Sequence, residues 1–311
     1  MDSFWVAVRV VVPMAIMMGI GILLRVGKIA ERDTMKKVDK ISFNLFLPML
    51  MFSNTFDTDF SQISGGYILY GIGSSFLLFL IAIFVIPRFE KNPPSAAAMG
   101  NALIRANYMM YSTAIATNLY GDADLGVIML LGAITIPFTN ALSAIVLEVA
   151  RSGKANARQL LLAIIKNPLV IAAAIGLTIN FSGIQLPDII VGVVDDIAGL
   201  ATPLSFLSLG VSLNFESIAG NKKRLAVGLL LKLIVFPVVF MAGALALGFH
   251  GMELCGLLVL FCGPPAVSSY PMAVAMDADP ELAGQMVIFP TIFSLITIFI
   301  WVLGLSGAGL L

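Results

Sequence analysis

The amino-acid sequence predicts an all-α membrane protein with ten transmembrane helices, arranged as two inverted repeats of five helices each. Three observations predict this fold: an apolar composition, apolar runs of spanning length, and a repeated pattern of prolines and acidic turns. Hydrophobic residues make up 59% of the 311 positions and charged residues only 12%. The charged share is well below the roughly one quarter that is usual in soluble domains. The 18 basic and 18 acidic side chains give no net charge, so we expect no nucleic-acid partner.

Apolar runs of spanning length recur along the whole chain, and about 20 mostly apolar residues are enough for a helix to cross a bilayer. The predicted helices one to ten cover residues 4–25, 36–54, 67–87, 95–119, 125–149, 160–181, 188–212, 225–247, 253–276 and 284–304. The first run lacks the basic leader and cleavage site of a secretory signal, so we expect it to stay in the protein. Because the connections are short, we expect function to lie in the helices and tight loops.

The basic residues concentrate in the odd-numbered loops. These are Arg25, Lys28, Arg32, Lys36, Lys37, Lys40, Arg88, Lys91, Arg151, Lys154, Arg158, Lys222, Lys223 and Arg224. The even-numbered loops carry Asp57, Asp59, Asp122, Asp124 and His250, which we interpret as a solvated loop residue. The positive-inside rule then predicts cytoplasmic odd loops and both termini outside, in a multi-pass protein of the plasma or inner membrane. Residues 277–282 lack positive charge, and only the helix count places them inside.

The chain also repeats itself at an offset of 155 positions. This offset relates Pro13 to Pro168, Pro48 to Pro203, and Asp122-Ala123-Asp124 to Asp277-Ala278-Asp279. We therefore divide the chain into repeats at 1–155 and 156–311. Since each repeat contains an odd number of helices, the second must enter the membrane from the opposite side, as in many secondary transporters. The alternative is that prolines and acidic turns recur by chance in a helical protein.

Helices four and nine are equivalent under the repeat, and both are predicted to be interrupted near the middle of the membrane. In helix nine, Pro264 and Pro265 remove two amide donors after Gly263, so a continuous helix there is disfavoured. Ser268 or Ser269, followed by Tyr270 and Pro271, is typical of a helix start with a hydroxyl cap. The centre of helix four, residues 105–113, is too polar to face lipid, and exposed backbone at this depth needs a cavity.

Two half-helices that begin at such a cavity would direct free amides and partial positive charge toward one point, which favours an anion. Asn107 could orient a carboxylate, and Ser112, Ser268 and Ser269 could add hydroxyl donors. The alternative for Asn107 is a hydrogen bond between helices. Arg105 is either a functional residue of coupling or gating, or a side chain that extends toward the cytoplasm.

Asp195 and Asp196, in helix seven, are the candidates for carrying a coupling proton. The alternative is that one of them faces an aqueous vestibule and stays ionised. We expect Asp39 and Glu148, near the cytoplasmic interface, to be solvated or paired with nearby basic side chains, and Lys232 to snorkel inward from helix eight. Cys255 and Cys262 are interpreted as packing residues, so the sequence predicts no metal site and no cofactor.

Several short motifs follow one another in a specific order. They are Phe43-Asn44-Leu45-Phe46-Leu47-Pro48, Lys166-Asn167-Pro168, Thr202-Pro203-Leu204, Leu209-Gly210-Val211-Ser212-Leu213, Leu231-Lys232-Leu233 with Pro237, Pro264-Pro265-Ala266-Val267-Ser268-Ser269-Tyr270, Asp277-Ala278-Asp279 and Ser294. Each motif is weak alone, but together they cover the chain and resemble the auxin efflux carrier family, whose bacterial members include malonate and malate carriers.

The resemblance implies the fold of the bile acid sodium symporters, in which helices one, two, six and seven form a scaffold and helices three to five and eight to ten a moving transport domain. It implies substrate at the crossing of helices four and nine, with Asn107 facing its carboxylate. The substrate-binding set is then Asn107, Ser112, Asn44, Pro264, Pro265, Ser268, Ser269 and Tyr270. This chain has Ser112-Thr113-Ala114 where the family has Gly-x-Pro, so we expect a milder break in helix four.

The function expected on these grounds is secondary transport of a small organic anion, such as malonate, malate or an auxin-like acid. We expect alternating access of the elevator type, protons as the coupling ion, and a homodimer formed through the scaffold helices. The alternatives are a sodium-coupled symporter of the same fold and a membrane sensor that transports nothing. An intramembrane enzyme has little support, because the sequence has one histidine and neither a metal-spaced cluster nor a serine nucleophile motif.

Overall fold

The computed structural model describes residues 2–56, 65–120, 126–152, 165–213 and 217–311. Within these ranges the chain is helical and contains no strand, as the sequence predicts. Several predicted features lie outside the described residues: Asp57, Asp59, Asp122-Ala123-Asp124, Lys154, Arg158 and the repeat boundary at 155 and 156.

The first part of the chain forms five helical runs. Helix α1 spans Asp2–Val26; α2 consists of Arg32–Ile41, a π-helical turn at Ser42–Phe46, and Leu47–Phe56; and α3 consists of Gly65–Leu80, a π-helical turn at Ile81–Val85, and Ile86–Phe89. Helix α4 is divided into α4a, Pro93–Ile104, and α4b, Tyr108–Tyr120, and α5 spans Gly126–Ser152.

The second part forms a similar series. Helix α6 spans Pro168–Ser182, α7 consists of Asp188–Gly199 and Ala201–Ser212, and α8 consists of Ser217–Leu230, a π-helical turn at Leu231–Val235, and Phe236–Ala246. Helix α9 is divided into α9a, Gly251–Cys262, and α9b, Ser269–Ala275, and α10 spans Pro280–Gly307.

Helix starts follow the local signals in the sequence. Asn167 caps α6, since its side-chain oxygen accepts a hydrogen bond from the Leu169 amide at 2.9 Å, and Pro168 occupies the first helical position. Asp279 caps α10 in the same way, accepting from the Leu282 amide at 3.0 Å. The other oxygen of Asp279 accepts a hydrogen bond from the Ser95 hydroxyl at 2.8 Å. The second Asp-Ala-Asp motif therefore joins the start of α10 to the start of α4a.

Several helices have the length and composition of membrane spans. In the described ranges the long apolar runs are Gly65–Phe89, Gly126–Arg151, Asp188–Ser212, Ile218–Ala246 and Pro280–Gly307, and the shorter ones are Ala15–Val26, Pro168–Ser182 and Gly251–Cys262. Large apolar side chains such as Leu69, Ile189 and Ile296 are exposed on the outside, as expected of a surface in contact with lipid. The chain is thus a multi-pass α-helical membrane protein, and the count of ten spans stays a prediction.

The helices pack in two groups. Helices α1, α2, α6 and α7 contact one another, with α6 along α2 and α7 along α1. Gly21 of α1 and Gly210 of α7 allow this, because a methyl group on either glycine would collide with backbone of the other helix. In the second group, α4a packs on α5 and α10, and α9a packs on α5 and α8. The short helix α9b lies between the groups, against α2 on one side and α10 on the other.

Candidate functional site

The break in α4 covers residues 105–107. Helix α4a ends at Ile104, Arg105 is extended with φ of −91° and ψ of 144°, and α4b begins at Tyr108. Neither glycine nor proline occurs in the break. The break is milder than expected of a proline-containing one only in its length, which is three residues. The helix is fully interrupted there.

The break in α9 is longer and covers residues 263–268. It begins at Gly263, contains Pro264 and Pro265, and ends where α9b starts at Ser269, as the proline pair predicts. The predicted hydroxyl cap is wrong, because neither Ser268 nor Ser269 caps α9b with its side chain. The Ser269 amide donates to the Ala266 carbonyl at 2.9 Å, so it is not free for a ligand.

The two breaks contact each other directly. The Asn107 amide donates a hydrogen bond to the Pro264 carbonyl at 2.8 Å. Asn101, on the last turns of α4a, donates from its side chain to the Ser269 carbonyl at 2.9 Å. The Arg105 guanidinium donates to the Ser268 hydroxyl at 2.5 Å. Backbone and side-chain hydrogen bonds therefore join the break in α4 to the break in α9.

A cavity of about 250 Å³ lies beside the two breaks. It is lined by Leu50, Met51, Asn54, Arg105, Ala106, Asn107, Tyr108, Met109, Met110, Ile136, Thr139, Asn140, Thr202, Ala266, Val267 and Ser268. The lining combines apolar side chains with amides, hydroxyls and one arginine, which is the usual composition of a small-molecule site. Its walls come from both helix groups, because α2 and α7 contribute on one side and α4, α5 and the α9 break on the other.

Arg105 gives this cavity its electrostatic character. Its side chain is only 4% exposed, and it is held inward by Ser268 and by the Met272 sulfur at 3.5 Å. In the part of the chain that the structure describes, no carboxylate lies within 4.0 Å of its guanidinium. The alternative that Arg105 extends toward the cytoplasm is therefore wrong. A buried cation without a paired carboxylate is costly, and an anion in the cavity would lower that cost.

Lys232 is a second buried cation, and the sequence did not lead us to expect it here. It is 1% exposed, and its ammonium group donates to the Arg105 carbonyl at 2.9 Å and to the Leu103 carbonyl at 3.4 Å. The snorkelling prediction is wrong because the carbonyls at the end of α4a lack helical partners and attract a donor with positive charge. The signal in the sequence was a single lysine inside the apolar run of α8.

The other predicted binding residues are only partly at the cavity. Asn107 and Ser268 line it, as does Arg105, whereas Asn44, Ser112, Ser269 and Tyr270 are not in its lining. Asn44 is exposed and donates to the Lys40 carbonyl of its own helix at 2.7 Å. Ser112 is buried and bonds the Met109 carbonyl at 3.2 Å. Their short side chains satisfy their own helices instead of pointing into the site.

The remaining members of that set belong to the break itself or to its far side. Pro264 and Pro265 are buried and shape the interruption, while the Pro264 carbonyl is occupied by Asn107. Ser269 is buried, and its hydroxyl has no hydrogen-bond partner among the residues described. Tyr270 is buried beside Ser208 and Asp39, away from the cavity lining.

The acidic residues are arranged differently from the prediction. Asp195 and Asp196 are exposed, and Asp195 accepts a hydrogen bond from the Ser53 hydroxyl at 2.6 Å. Asp39, expected to be solvated or paired with a base, is 1% exposed and accepts from the Ser208 hydroxyl at 2.9 Å. Its second oxygen has no hydrogen-bond partner among the described residues. Helix α2 packs against α7 here, so the carboxylate faces Ser208 of α7 instead of solvent.

The cysteines and the histidine are placed as the sequence indicated. Cys255 and Cys262 are free thiols buried among apolar side chains, and His250 is exposed at the start of α9a. Across the described ranges no group of three or more histidine, cysteine or acidic side chains is arranged to hold a metal ion.

Comparison with known proteins identifies the class of protein. Residues 150–302 match the family model of membrane transport proteins. An uncharacterized transporter of Methanothermobacter thermautotrophicus is 22% identical over 304 residues, which covers 96% of this chain and 98% of that protein. Auxin efflux carrier component 6 of Arabidopsis thaliana is 31% identical over 147 residues, which covers 44% of this chain and 25% of the plant protein.

The fold also has a solved counterpart. The sodium proton antiporter MjNhaP1 of Methanocaldococcus jannaschii aligns with a TM-score of 0.64 and covers 92% of this chain and 91% of that one. Its sequence identity of 13% means that this likeness shows the fold alone. The family match over just under half of the chain and the transporter relative along its whole length support a membrane transporter that is similar in sequence to the auxin efflux carriers.

Proposed function

We propose that this transporter is a secondary carrier of a small organic anion, a carboxylate such as malonate, malate or an auxin-like acid. The observation that carries the proposal is the buried Arg105 guanidinium, which lines the cavity and has no carboxylate partner within 4.0 Å among the described residues. A carboxylate bound there would supply the missing opposite charge. Arginine suits this role because its planar donors match the two oxygens of a carboxylate.

The size and lining of the cavity support a small substrate. Its volume of about 250 Å³ is below the roughly 300–1,000 Å³ of pockets for drug-sized ligands. Asn107 lies in the wall beside Arg105, and its side-chain amide can donate to a carboxylate oxygen. Leu50, Met109 and Ile136 offer apolar surface for the hydrocarbon part of such a molecule. The cavity thus offers charged and polar groups to the carboxylate and apolar surface to the rest of the molecule.

The position of the cavity between the two helix groups supports transport by alternating access. We propose ten spans in two inverted repeats, in which α1, α2, α6 and α7 form the scaffold and the other helices move with the substrate in an elevator-like manner. Because the cavity walls come from both groups, a sliding motion would open it first to one side and then to the other. We further propose a cell-membrane location with cytoplasmic odd loops, and a homodimer formed through the scaffold helices.

Protons are the coupling ion that we propose. Asp195 and Asp196 are exposed, so the buried Asp39 is the better candidate to carry a proton. It lies where α2 meets α7 and α9b, between the proposed scaffold and the proposed moving group.

Ligand-induced thermal stabilisation tests the binding site. Purified protein is heated with a panel of mono- and dicarboxylates, and a ligand that binds the folded state raises the melting temperature. Asn107→Ala should weaken binding by roughly 10- to 100-fold, because a hydrogen bond to a charged group contributes about 1.5–3 kcal/mol. The matched control is Asn92→Ala, which removes the same side chain from an exposed position outside the cavity lining and should bind as the wild type does. Equal stabilisation of Asn107→Ala and the wild type would contradict the proposed site.

Flux measurements separate carrier types. Uptake of the binding carboxylate into proteoliposomes should respond to an imposed proton gradient and be indifferent to sodium. Uptake that depends on a sodium gradient would favour the sodium-coupled symporter instead. Binding without flux in either gradient would favour the sensor.

A further inference from the structure

The hydrogen bonds of the Lys232 ammonium group have no role in the function proposed above. The residue lies in the π-helical turn Leu231–Val235 of α8, and its ammonium group reaches the backbone of another helix. The groups that it contacts are the carbonyls of Arg105 and Leu103, at 2.9 and 3.4 Å. Within the ranges that the structure describes, no carboxylate lies within 4.0 Å of this ammonium. Its charge is therefore balanced by backbone carbonyls.

The carbonyls at the C-terminal end of α4a are a natural ligand set for a cation. The last carbonyls of a helix have no amide partners and carry the negative end of the helix dipole. Rings and clusters of backbone carbonyls are also what proteins use to hold dehydrated alkali cations. An ammonium group is a compact point charge with three donors, so it can take the place of such an ion.

We propose that the Lys232 ammonium is a built-in cation at the break in α4, which occupies the place that a free monovalent cation would otherwise take and thereby positions Arg105 and Asn107. The lysine stabilises the interrupted helix because it compensates the carbonyls that the break exposes. It acts on the substrate only through the backbone of Arg105, so it is a positioning residue. The statement about substrate rests on the function proposed above, whereas the statement about the cation does not.

The proposal implies that free sodium is not needed at this break in the native protein. The immediate surroundings agree, since Lys232 forms no salt bridge with a described carboxylate and its neighbour Cys262 is a buried free thiol. Removing the lysine side chain should leave a small space lined by carbonyl oxygens. A sodium ion or a short alkylammonium ion is small enough to enter such a space, whereas choline is not.

The test is the melting temperature of Lys232→Ala in sodium, ethylammonium and choline chloride at equal ionic strength, without substrate. We expect the variant to melt below the wild type in choline, and to regain a few degrees in ethylammonium or sodium. The wild type should melt at the same temperature in all three salts. Lys223→Ala is the matched control, because Lys223 is an exposed lysine of the same helix, and its variant should show no salt specificity.

Two results would overturn the built-in cation. One is an equal effect of choline, sodium and ethylammonium on Lys232→Ala, and the other is a wild type that is itself stabilised by sodium over choline. If Lys232→Ala can be purified only with ethylammonium present, that requirement is the rescue that the proposal predicts. Lys232→Met, which keeps the chain length without charge, gives a second check, and wild-type substrate affinity in it would also contradict the proposal.

Failure of this inference and failure of the proposed function are distinguishable. Salt-specific rescue without any carboxylate binding by the wild type would support the cation and reject the anion site. Carboxylate binding by the wild type without salt-specific rescue would support the anion site and reject the built-in cation. Where both hold, ethylammonium should restore substrate affinity to Lys232→Ala by roughly 10-fold or more, the size of one charged hydrogen bond.

Discussion

The two breaks that meet at the cavity are built in different ways. The break in α9 contains Gly263, Pro264 and Pro265, and the prolines remove the amide donors that a continuous helix requires. The break in α4 contains no such residue, and its exposed carbonyls are compensated by Lys232 from α8. One interruption is thus encoded by its own residues, and the other is stabilised by a side chain 127 positions further along the chain.

A helix break can therefore depend on tertiary structure as much as on local sequence. A proline pair acts in the unfolded chain as well as in the folded one, so the α9 break should persist when its neighbours change. A break held by an ammonium group should close or shift when that group is removed. Three comparisons follow, ordered from the largest expected effect to the smallest.

Replacing both prolines should have the largest effect. Each proline disfavours a helix interior by about 3 kcal/mol, so Pro264→Ala with Pro265→Ala should let α9 become helical across the break. We expect the amides of residues 266–268 to exchange more slowly with deuterium, and carboxylate binding to be lost. Pro290→Ala is the control, because Pro290 lies inside the continuous helix α10 and breaks nothing. Unchanged exchange and unchanged binding in the double variant would show that the prolines do not make the break.

Changing a single methyl group in each break should have a smaller effect, and the stability cost should differ between the two breaks. A side chain at Gly263 would collide with the Val259 carbonyl, so Gly263→Ala should lower stability by about 1–3 kcal/mol through overpacking. The reverse exchange in the other break, Ala106→Gly, should cost only about 0.4–1 kcal/mol through the entropy of the unfolded chain. Melting temperatures in one detergent measure both. A larger loss for Ala106→Gly would contradict the distinction.

The smallest effect concerns a second contact of α8, a salt bridge to the segment just before α4a. Arg224 of α8 pairs with Glu90 just before α4a, with its Nε 2.5 Å from the carboxylate, and this pair holds the pKa of Glu90 below its usual range. Stability from Glu90 is therefore present above a pH of about 4.5 and is lost as the pH falls through the lowered pKa. Because the pair is partly exposed, Glu90→Gln should cost less than about 1 kcal/mol at neutral pH.

Melting temperatures of the wild type and Glu90→Gln, recorded from neutral to acidic pH, check this expectation. The two curves should converge as the pH falls through the lowered pKa of Glu90. Glu148→Gln is the comparison variant, since Glu148 pairs with Arg151 on its own helix and joins no second element through that pair. A difference in melting temperature between the wild type and Glu90→Gln that increases as the pH falls would contradict the expected direction of the pH dependence.

The same distinction explains how much the sequence could predict. The helical class, the α9 break and the cavity residues Arg105, Asn107 and Ser268 follow from local signals: apolar runs, a proline pair, and polar groups where lipid would be expected. Lys232 and Asp39 could not be placed, because their burial depends on contacts with distant segments.

The predicted site residues that do not line the cavity have a related cause. Asn44 was assigned from a motif and Ser112 from the polar centre of helix four, and neither pattern says toward which neighbour a side chain turns. Both side chains instead bond backbone carbonyls of their own helices. The predicted amide donors at the start of α9b were also not free, because a tight local turn, formed only in the folded chain, uses the Ser269 amide.

The most direct test of the anion site compares a charged ligand with its neutral counterpart. The carboxylate that stabilises the wild type most, and the corresponding amide of the same shape, are each added to wild type, Arg105→Gln and the control Arg88→Gln, which changes an exposed arginine. We expect the carboxylate alone to raise the melting temperature of the wild type and of Arg88→Gln, and Arg105→Gln not to respond. Equal stabilisation of Arg105→Gln by the carboxylate, or of the wild type by the amide, would contradict this expectation.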